Sequence, residues 1–364
     1  MAEAAPPRPR GRLDEELASF FPGYFALVMA TGIVSVACSR LGLGGMAVAL
    51  LVVNVVAYGA LWTLTILRLA RHGGRVWADL TNHGRSPGFF TLVAGTSVLG
   101  VELVIVAGLP GVATVLWALA IVLWVLVTYT FVAALTVKRD KPPLGVGING
   151  GWLLAVVATQ SIAVLGVVLA GGDAPGPGSE LSLFICLAFH LVGCFLYLPL
   201  ITIILQRFTF SPLDPADLTP PYWISMGAGA ITTLAGANLM LAAPSWTVLG
   251  EVRPFLVGFT LFFWAVASWW IPLLVILGVW RHVIARFPLR YDPQYWGLVF
   301  PLGMYSVCTL RLAEALELPL LRSIPAVFVY VALGAWALTF FGLVRRTAQV
   351  LRALATRRPP VEVR

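Results

Sequence analysis

Apolar residues along the chain fall into ten runs of about 20 residues, with most of the charge confined to the short segments between them. A run of that length, wound as an α-helix, crosses the roughly 30 Å hydrocarbon layer of a bilayer. The pattern predicts spans near residues 20–41, 46–67, 87–108, 112–136, 149–170, 181–205, 221–243, 255–280, 294–316 and 324–344. Every odd-numbered run opens on a version of one phrase. Its fullest form is Pro22-Gly23-Tyr24-Phe25-Ala26-Leu27-Val28-Met29-Ala30-Thr31-Gly32, and Pro87-Gly88-Phe89-Phe90-Thr91-Leu92-Val93-Ala94-Gly95-Thr96 repeats it closely. Shorter copies begin at Gly150-Gly151-Trp152-Leu153, Pro220-Pro221-Tyr222-Trp223 and Pro293-Gln294-Tyr295-Trp296.

Copies starting at 22, 87, 150, 220 and 293 define a unit of 63 to 73 residues, enough for two spans and their loops. The expected fold is an all-α integral membrane protein of ten transmembrane helices. These form five helical hairpins with pseudo-fivefold symmetry around a central pore. The five odd helices then run in one direction and bring equivalent residues to equivalent depths.

Composition agrees: 59% of residues are hydrophobic and 11% charged, too apolar for a soluble domain. The net charge of +8 adds topology rather than a nucleic-acid partner. Of 24 Lys and Arg, twenty fall on one side of the alternating spans. Only Arg40, Arg253 and Arg322 fall on the other, and Arg311 lies inside the ninth run. The positive-inside bias therefore puts both termini in the cytoplasm of a multi-pass protein of the cell membrane. Residues 1–19, with Arg8 and Arg10 followed by Asp14, Glu15 and Glu16, lack a signal-peptide cleavage pattern and read as a cytoplasmic tail. Residues 20–344 form the membrane domain, and 345–364, closing near Pro359-Pro360, form a basic cytoplasmic tail. Cys38, Cys186, Cys194 and Cys308 sit in apolar runs without a CxxC pair and read as packing residues, with no metal site. There is no Walker loop, GxSxG elbow or HExxH motif, so neither an enzyme, a cofactor nor an ATP-driven pump is expected.

Counting each copy's first residue as zero, offset nine holds Thr31, Thr96, Thr159 and Gly229, and offset ten adds Ser97 and Gln160. These small and mildly polar positions are the expected pore lining, able to replace part of an ion's hydration without fixed charge. Offset seven reads Met29, Ala94, Val157, Gly227 and then Phe300, one large ring among mostly smaller groups and followed at once by Pro301. Phe300 either closes the pore or packs between helices. Arg40 and Arg311 share offset eighteen with Asn238, an outer vestibule that concentrates anions unless Arg311 pairs with Glu314 or Glu102. Glu102 is either one half of a structural ion pair or, in a proton-coupled carrier, the proton-binding site. His190 is expected to make an interhelical hydrogen bond.

The segments Pro22–Phe25, Met29–Gly32 and Tyr295–Gly303 resemble motifs of the tellurite-resistance/dicarboxylate transporter family, which includes TehA-type proteins and plant slow anion channels. The ten-span layout extends the resemblance over roughly residues 20–345. It implies a homotrimer in which each protomer has its own pore of five inner helices. A phenylalanine of the ninth helix obstructs that pore, at the position of Phe300. The family holds both passive channels and proton-linked carriers. The expected activity is accordingly passage of small inorganic or organic anions through a pore obstructed by Phe300. The alternative is proton-coupled carriage of C4-dicarboxylates, sulfite or tellurite-like oxyanions.

Overall fold

The computed structural model describes residues 12–171 and 179–355, and Arg8, Arg10 and Pro359-Pro360 lie outside them. Twelve helices follow in order: α1 (Arg12–Ala18), α2 (Ala26–Arg40), α3 (Gly44–Leu80), α4 (Phe90–Ala107), α5 (Pro110–Val137), α6 (Leu144–Gly147), α7 (Leu154–Leu169), α8 (Glu180–Phe210), α9 (Ile224–Ala242), α10 (Thr247–Val279), α11 (Trp296–Ala315) and α12 (Ser323–Ala355). Ten of the helical segments are long and apolar enough to cross a membrane.

Each copy of the repeated phrase folds as a single 3-10 turn leading straight into an α-helix: Pro22–Phe25 into α2, Ser86–Phe89 into α4, Gly150–Leu153 into α7, Pro220–Trp223 into α9 and Pro293–Tyr295 into α11. Four of the five turns have Pro in their first two positions, where its fixed φ suits a helix start and its missing N–H costs nothing. At four copies the aromatic two residues into the phrase donates its backbone N–H to the residue before the phrase: Tyr24 to Phe21, Trp152 to Asn149, Tyr222 to Thr219 and Tyr295 to Asp292. Where Pro is absent, Asn149 takes over by accepting from the Gly151 N–H at 2.8 Å.

The helices preceded by these turns form the inside of the molecule. Contacts run from α2 to α4, α7, α9, α11 and back to α2, closing a ring of five. The five 3-10 turns touch one another in the same order, so all five inner helices start at the same end. Their apolar windows are 83–94% buried, against 17–33% for α3, α5, α8, α10 and α12, which surround them. On those outer helices Val56, Val115, Phe195, Ile276 and Leu338 stand exposed, the apolar surface a bilayer solvates.

Most outer helices outrun the spans expected for them. The helix predicted over 46–67 extends as α3 to Leu80, bending at His72 (φ −133°, ψ 37°), and Arg68 then bonds Asp79 at 2.6 Å across the bend. α12 likewise continues to Ala355. Hydropathy sees only the apolar part of a helix, whereas backbone hydrogen bonding carries the helix on into polar sequence. Cys38, Cys186, Cys194 and Cys308 are buried free thiols.

Candidate functional site

Two cavities lie inside the inner ring, each lined by residues from all five inner helices. On α2 the lining positions are Ala26, Met29, Ile33, Val36 and Arg40, and on α11 they are Gly297, Phe300, Met304, Val307 and Arg311. Steps of three and four residues mark one continuous stripe of a helix. The stripe therefore faces the axis along the whole of both helices.

The first cavity, about 400 Å³, lies at the end where the 3-10 turns meet and is called the N-end cavity. Met29 and Phe300 border it, and Phe300 itself is 0% exposed. The second, about 470 Å³, is the C-end cavity. It begins at Ile33 and Met304, one helical turn beyond Met29 and Phe300 on the same two helices. At the level of Phe300 the neighbouring α9 contributes Gly227. A Cβ there would stand 2.7 Å from the Pro301 ring, so the missing side chain is what lets α9 and the proline of α11 approach.

The wall differs from the one expected at offsets nine and ten. Thr31 accepts a hydrogen bond from Trp336 Nε1 of α12 at 2.9 Å, and Thr159 accepts from Trp124 Nε1 of α5 at 2.8 Å. Thr96 gives its own proton to the Leu92 carbonyl, so Tyr58 of α3 donates to it, at 3.0 Å. Gly229 lies against Ala267 of α10. Gln160 turns to α8, donating to the His190 carbonyl at 3.1 Å and pairing its Oε1 with His190 Nδ1 at 3.0 Å. Ser97 is buried without lining either cavity. The reason is helical phase: offset nine is two residues past offset seven, about 200° round the helix. A wall holding Phe300 and Met29 therefore turns the threonines outward, where their hydroxyls tie inner helices to outer ones. Facing the C-end cavity are instead Ile33, Val98, Ile231, Val36, Val101 and Leu234, with Ser161 and Asn238 as uncharged polar exceptions beside Arg40 and Arg311. Ser161 and Met304 went unread in the sequence. The signal that finds them is the three-four stepping away from Phe300.

Arg40 and Arg311 both line the C-end cavity with Asn238. Arg311 is held: its Nε donates to Asn238 Oδ1 at 2.9 Å and its Nη1 to Glu314 Oε2 at 2.6 Å. The Glu314 pairing is therefore present and the pairing with Glu102 is not. Glu102, 0% exposed, takes a 2.6 Å hydrogen bond from Asn54 Nδ2 of α3, while its Oε1 and Asn54 Oδ1 have no partner among the described residues. It belongs to a buried polar contact between α3 and α4 rather than to an ion pair.

The two ends also differ in backbone charge. Five helix N-termini surround the N-end cavity, each equivalent to roughly half a positive charge. The same helices turn five C-termini toward the other end, where Arg40, in the last turn of α2, and Arg311 offset them. Arg85 and Arg207 line the N-end cavity with Asp217. Arg85 is engaged by Asp79 at 2.6 Å. In the adjoining loop, burial with nearby Lys138 and Lys141 holds the His83 imidazole below its usual range, disfavouring its charged form.

Several known proteins resemble this chain. An uncharacterized membrane protein of Mycobacterium tuberculosis is 43% identical over 159 residues, covering 43% of this chain and 79% of that protein. An uncharacterized transporter of Methanocaldococcus jannaschii is 24% identical across 91% of this chain and 94% of its own length. A protein of Trichophyton rubrum named a sulfite efflux pump is 22% identical across 89% and 90% respectively. The family model described as voltage-dependent anion channel matches residues 19–344, nearly the whole chain. With ten membrane-length helices, a closed inner ring and this match, the chain belongs to the voltage-dependent anion channel family, whose members are membrane anion channels and transporters.

Proposed function

We propose that the chain passes small anions along the axis of the inner ring, from the N-end cavity to the C-end cavity, with Phe300 as the obstruction between them. One observation carries this reading: two cavities share the axis, each walled by all five inner helices, and only one helical turn at Met29 and Phe300 stands between them. Electrostatics support it. Helix N-termini draw anions into one end, and arginines at the other offset the opposing C-termini. The walls between are nearly uncharged, so an anion drawn in at the N-end mouth is held tightly nowhere along the C-end wall. Both termini and the N-end cavity face the cytoplasm in this reading, on the distribution of Lys and Arg. The assembly is a trimer, on the family resemblance.

Bilayer currents of purified protein under a chloride gradient test the proposal, with wild type compared against Phe300→Ala. A current reversing near the chloride potential supports passive conduction, and silence of both proteins removes it. Arg311→Ala in the conducting background leaves Glu314 beside the C-end cavity without its partner. Current is expected to fall several-fold at about 0.01 M salt, where charges act over roughly 30 Å, and to recover near 1 M, where they act over about 3 Å. A loss that ignores salt would indicate misfolding instead.

A proton-coupled carrier is the second reading, favoured by the wholly buried Glu102 with one carboxylate oxygen lacking a partner. The name of the Trichophyton relative brings sulfite in as its candidate substrate. Liposome uptake of sulfite or malate with and without a pH gradient decides between the two. The channel reading expects Glu102→Gln, which keeps the shape and the Asn54 contact, to leave flux unchanged. Uptake that needs a proton gradient and is lost in Glu102→Gln would establish the carrier.

A further inference from the structure

Four arginines are buried among the described residues: Arg68, Arg207, Arg281 and Arg311. Arg68 bonds Asp79 and the Ala18 carbonyl, Arg281 bonds the Leu218 carbonyl, and Arg311 bonds Asn238 and Glu314. Arg207 differs. It is 5% exposed and, like Arg68 and Arg281, has an Nε without a partner, but it alone of the four makes no side-chain hydrogen bond among the described residues: its nearest acidic oxygen is Asp217 Oδ2 at 3.5 Å, longer than the 2.7–2.9 Å of a charge-assisted hydrogen bond. The Asp217 side chain is itself 48% exposed, so water competes for it. Tyr222, with its ring centre 5.6 Å from the guanidinium, supplies a π face but no acceptor in the guanidinium plane. A buried guanidinium with an unpartnered Nε and only a loose, half-exposed counter-charge is costly unless something else pairs it.

What adjoins Arg207 is the N-end cavity, which it lines. The inner-helix N-termini converge on that same space, and of the five 3-10 turns only those at Gly150 and Pro293 have a side-chain cap, from Asn149 and Asp292. The turns at Pro22, Ser86 and Pro220 have none. A loosely paired cation with an unpartnered Nε thus faces a space already made positive by helix ends. We propose that the N-end cavity contains a binding site for one small inorganic anion, a halide or a compact oxyanion, with Arg207 as its principal ligand. Asp217 acts as the competing internal anion: it holds Arg207 loosely when the site is empty and yields it when an anion arrives. The site deepens the conduction reading by giving permeating anions a resting place below Phe300, yet its occupancy is measurable without any current.

Thermal unfolding of the purified full-length protein in detergent tests it, in gluconate at constant ionic strength, with bromide titrated in. An anion that binds only the folded state raises the unfolding temperature along a saturating curve. Wild type is expected to show that curve and Arg207→Gln to lose it. Arg207→Lys should retain a weaker version, since a point charge replaces the planar fork. Asp217→Asn keeps Arg207 and removes its competitor, so half-saturation should move to several-fold lower bromide; this variant carries the test if Arg207→Gln does not fold. No saturable rise in wild type, an equal rise in Arg207→Gln, or an unchanged midpoint in Asp217→Asn would each overturn the site. A silent Phe300→Ala bilayer with the bromide shift intact would remove conduction and leave the site standing. Robust current with no bromide shift would do the reverse.

Discussion

Phe300→Ala is expected to raise anion current across a planar bilayer by at least about tenfold over wild type, the change that ~1.4 kcal/mol of barrier corresponds to. The side chain borders the N-end cavity, and Met304, one turn along the same stripe of α11, borders the other. Truncation at Cβ removes the aromatic ring from that single intervening turn and lets the two cavities merge. A packing role predicts something else. Deleting a fully buried phenylalanine from a close-packed core costs about 3–5 kcal/mol and opens no path. Current and unfolding temperature therefore need to be measured on the same preparation. Large current with modest destabilisation supports obstruction, whereas strong destabilisation with silence assigns Phe300 to packing. The position of Pro301 sharpens the contrast: its ring already rests on Gly227, so α9 and α11 keep a close contact that does not depend on Phe300.

The repeated phrase made much of this architecture legible in the sequence. Pro-Gly-aromatic-aromatic, full in two copies and varied in three, spells a turn followed by a helix, and five such starts at near-equal spacing in alternate apolar runs pick out the helices that end up inside. Less legible was the direction each side chain takes. Thr31, Thr96 and Thr159 stand at one offset as a pore ring would, but a ring at one depth has the same offset whether it faces the axis or the outer helices. Only a residue whose facing is known fixes the phase, and counting threes and fours from Phe300 reaches Ile33, Ser161 and Asn238 rather than the threonines. Partner choice was hidden for a related reason. Glu102 meets Asn54 of α3, 48 residues away in the chain, and nothing local to either residue announces the other. Arg311 and Glu314, three apart on one helix, were readable because helix geometry alone brings them together. Arg207 drew no notice, since a basic residue near the end of a span looks like any other topology signal.

Gly150→Ala is expected to damage the protein far more than a single methyl group ordinarily does. A Cβ on Gly150 would stand 2.4 Å from both the Pro221 carbonyl oxygen and the Tyr222 Cα. Both are backbone atoms of the neighbouring 3-10 turn, so no side-chain rotation relieves the overlap. The turn itself must move, and it belongs to the closed ring of turns that frames the N-end cavity. Overpacking of this kind costs about 1–3 kcal/mol in soluble cores, and here the upper end applies because rigid backbone meets rigid backbone. Thermal unfolding in detergent should show a fall of several degrees, and Gly150→Val a larger one or no folded protein. Gly258→Ala is the matched control: on the outer α10 nothing lies within 4 Å of its added Cβ, and replacing a mid-helix glycine by alanine favours the helix by roughly 0.5–1 kcal/mol. Equal stability of the two alanine variants would mean that the turns are not pressed together and that the ring closes by other contacts. If Gly150→Ala folds at lower stability, its bromide midpoint becomes informative as well, because Tyr222, the residue displaced, holds its ring over Arg207. A shift in that midpoint would tie the packing of the repeated turns to the charge they enclose.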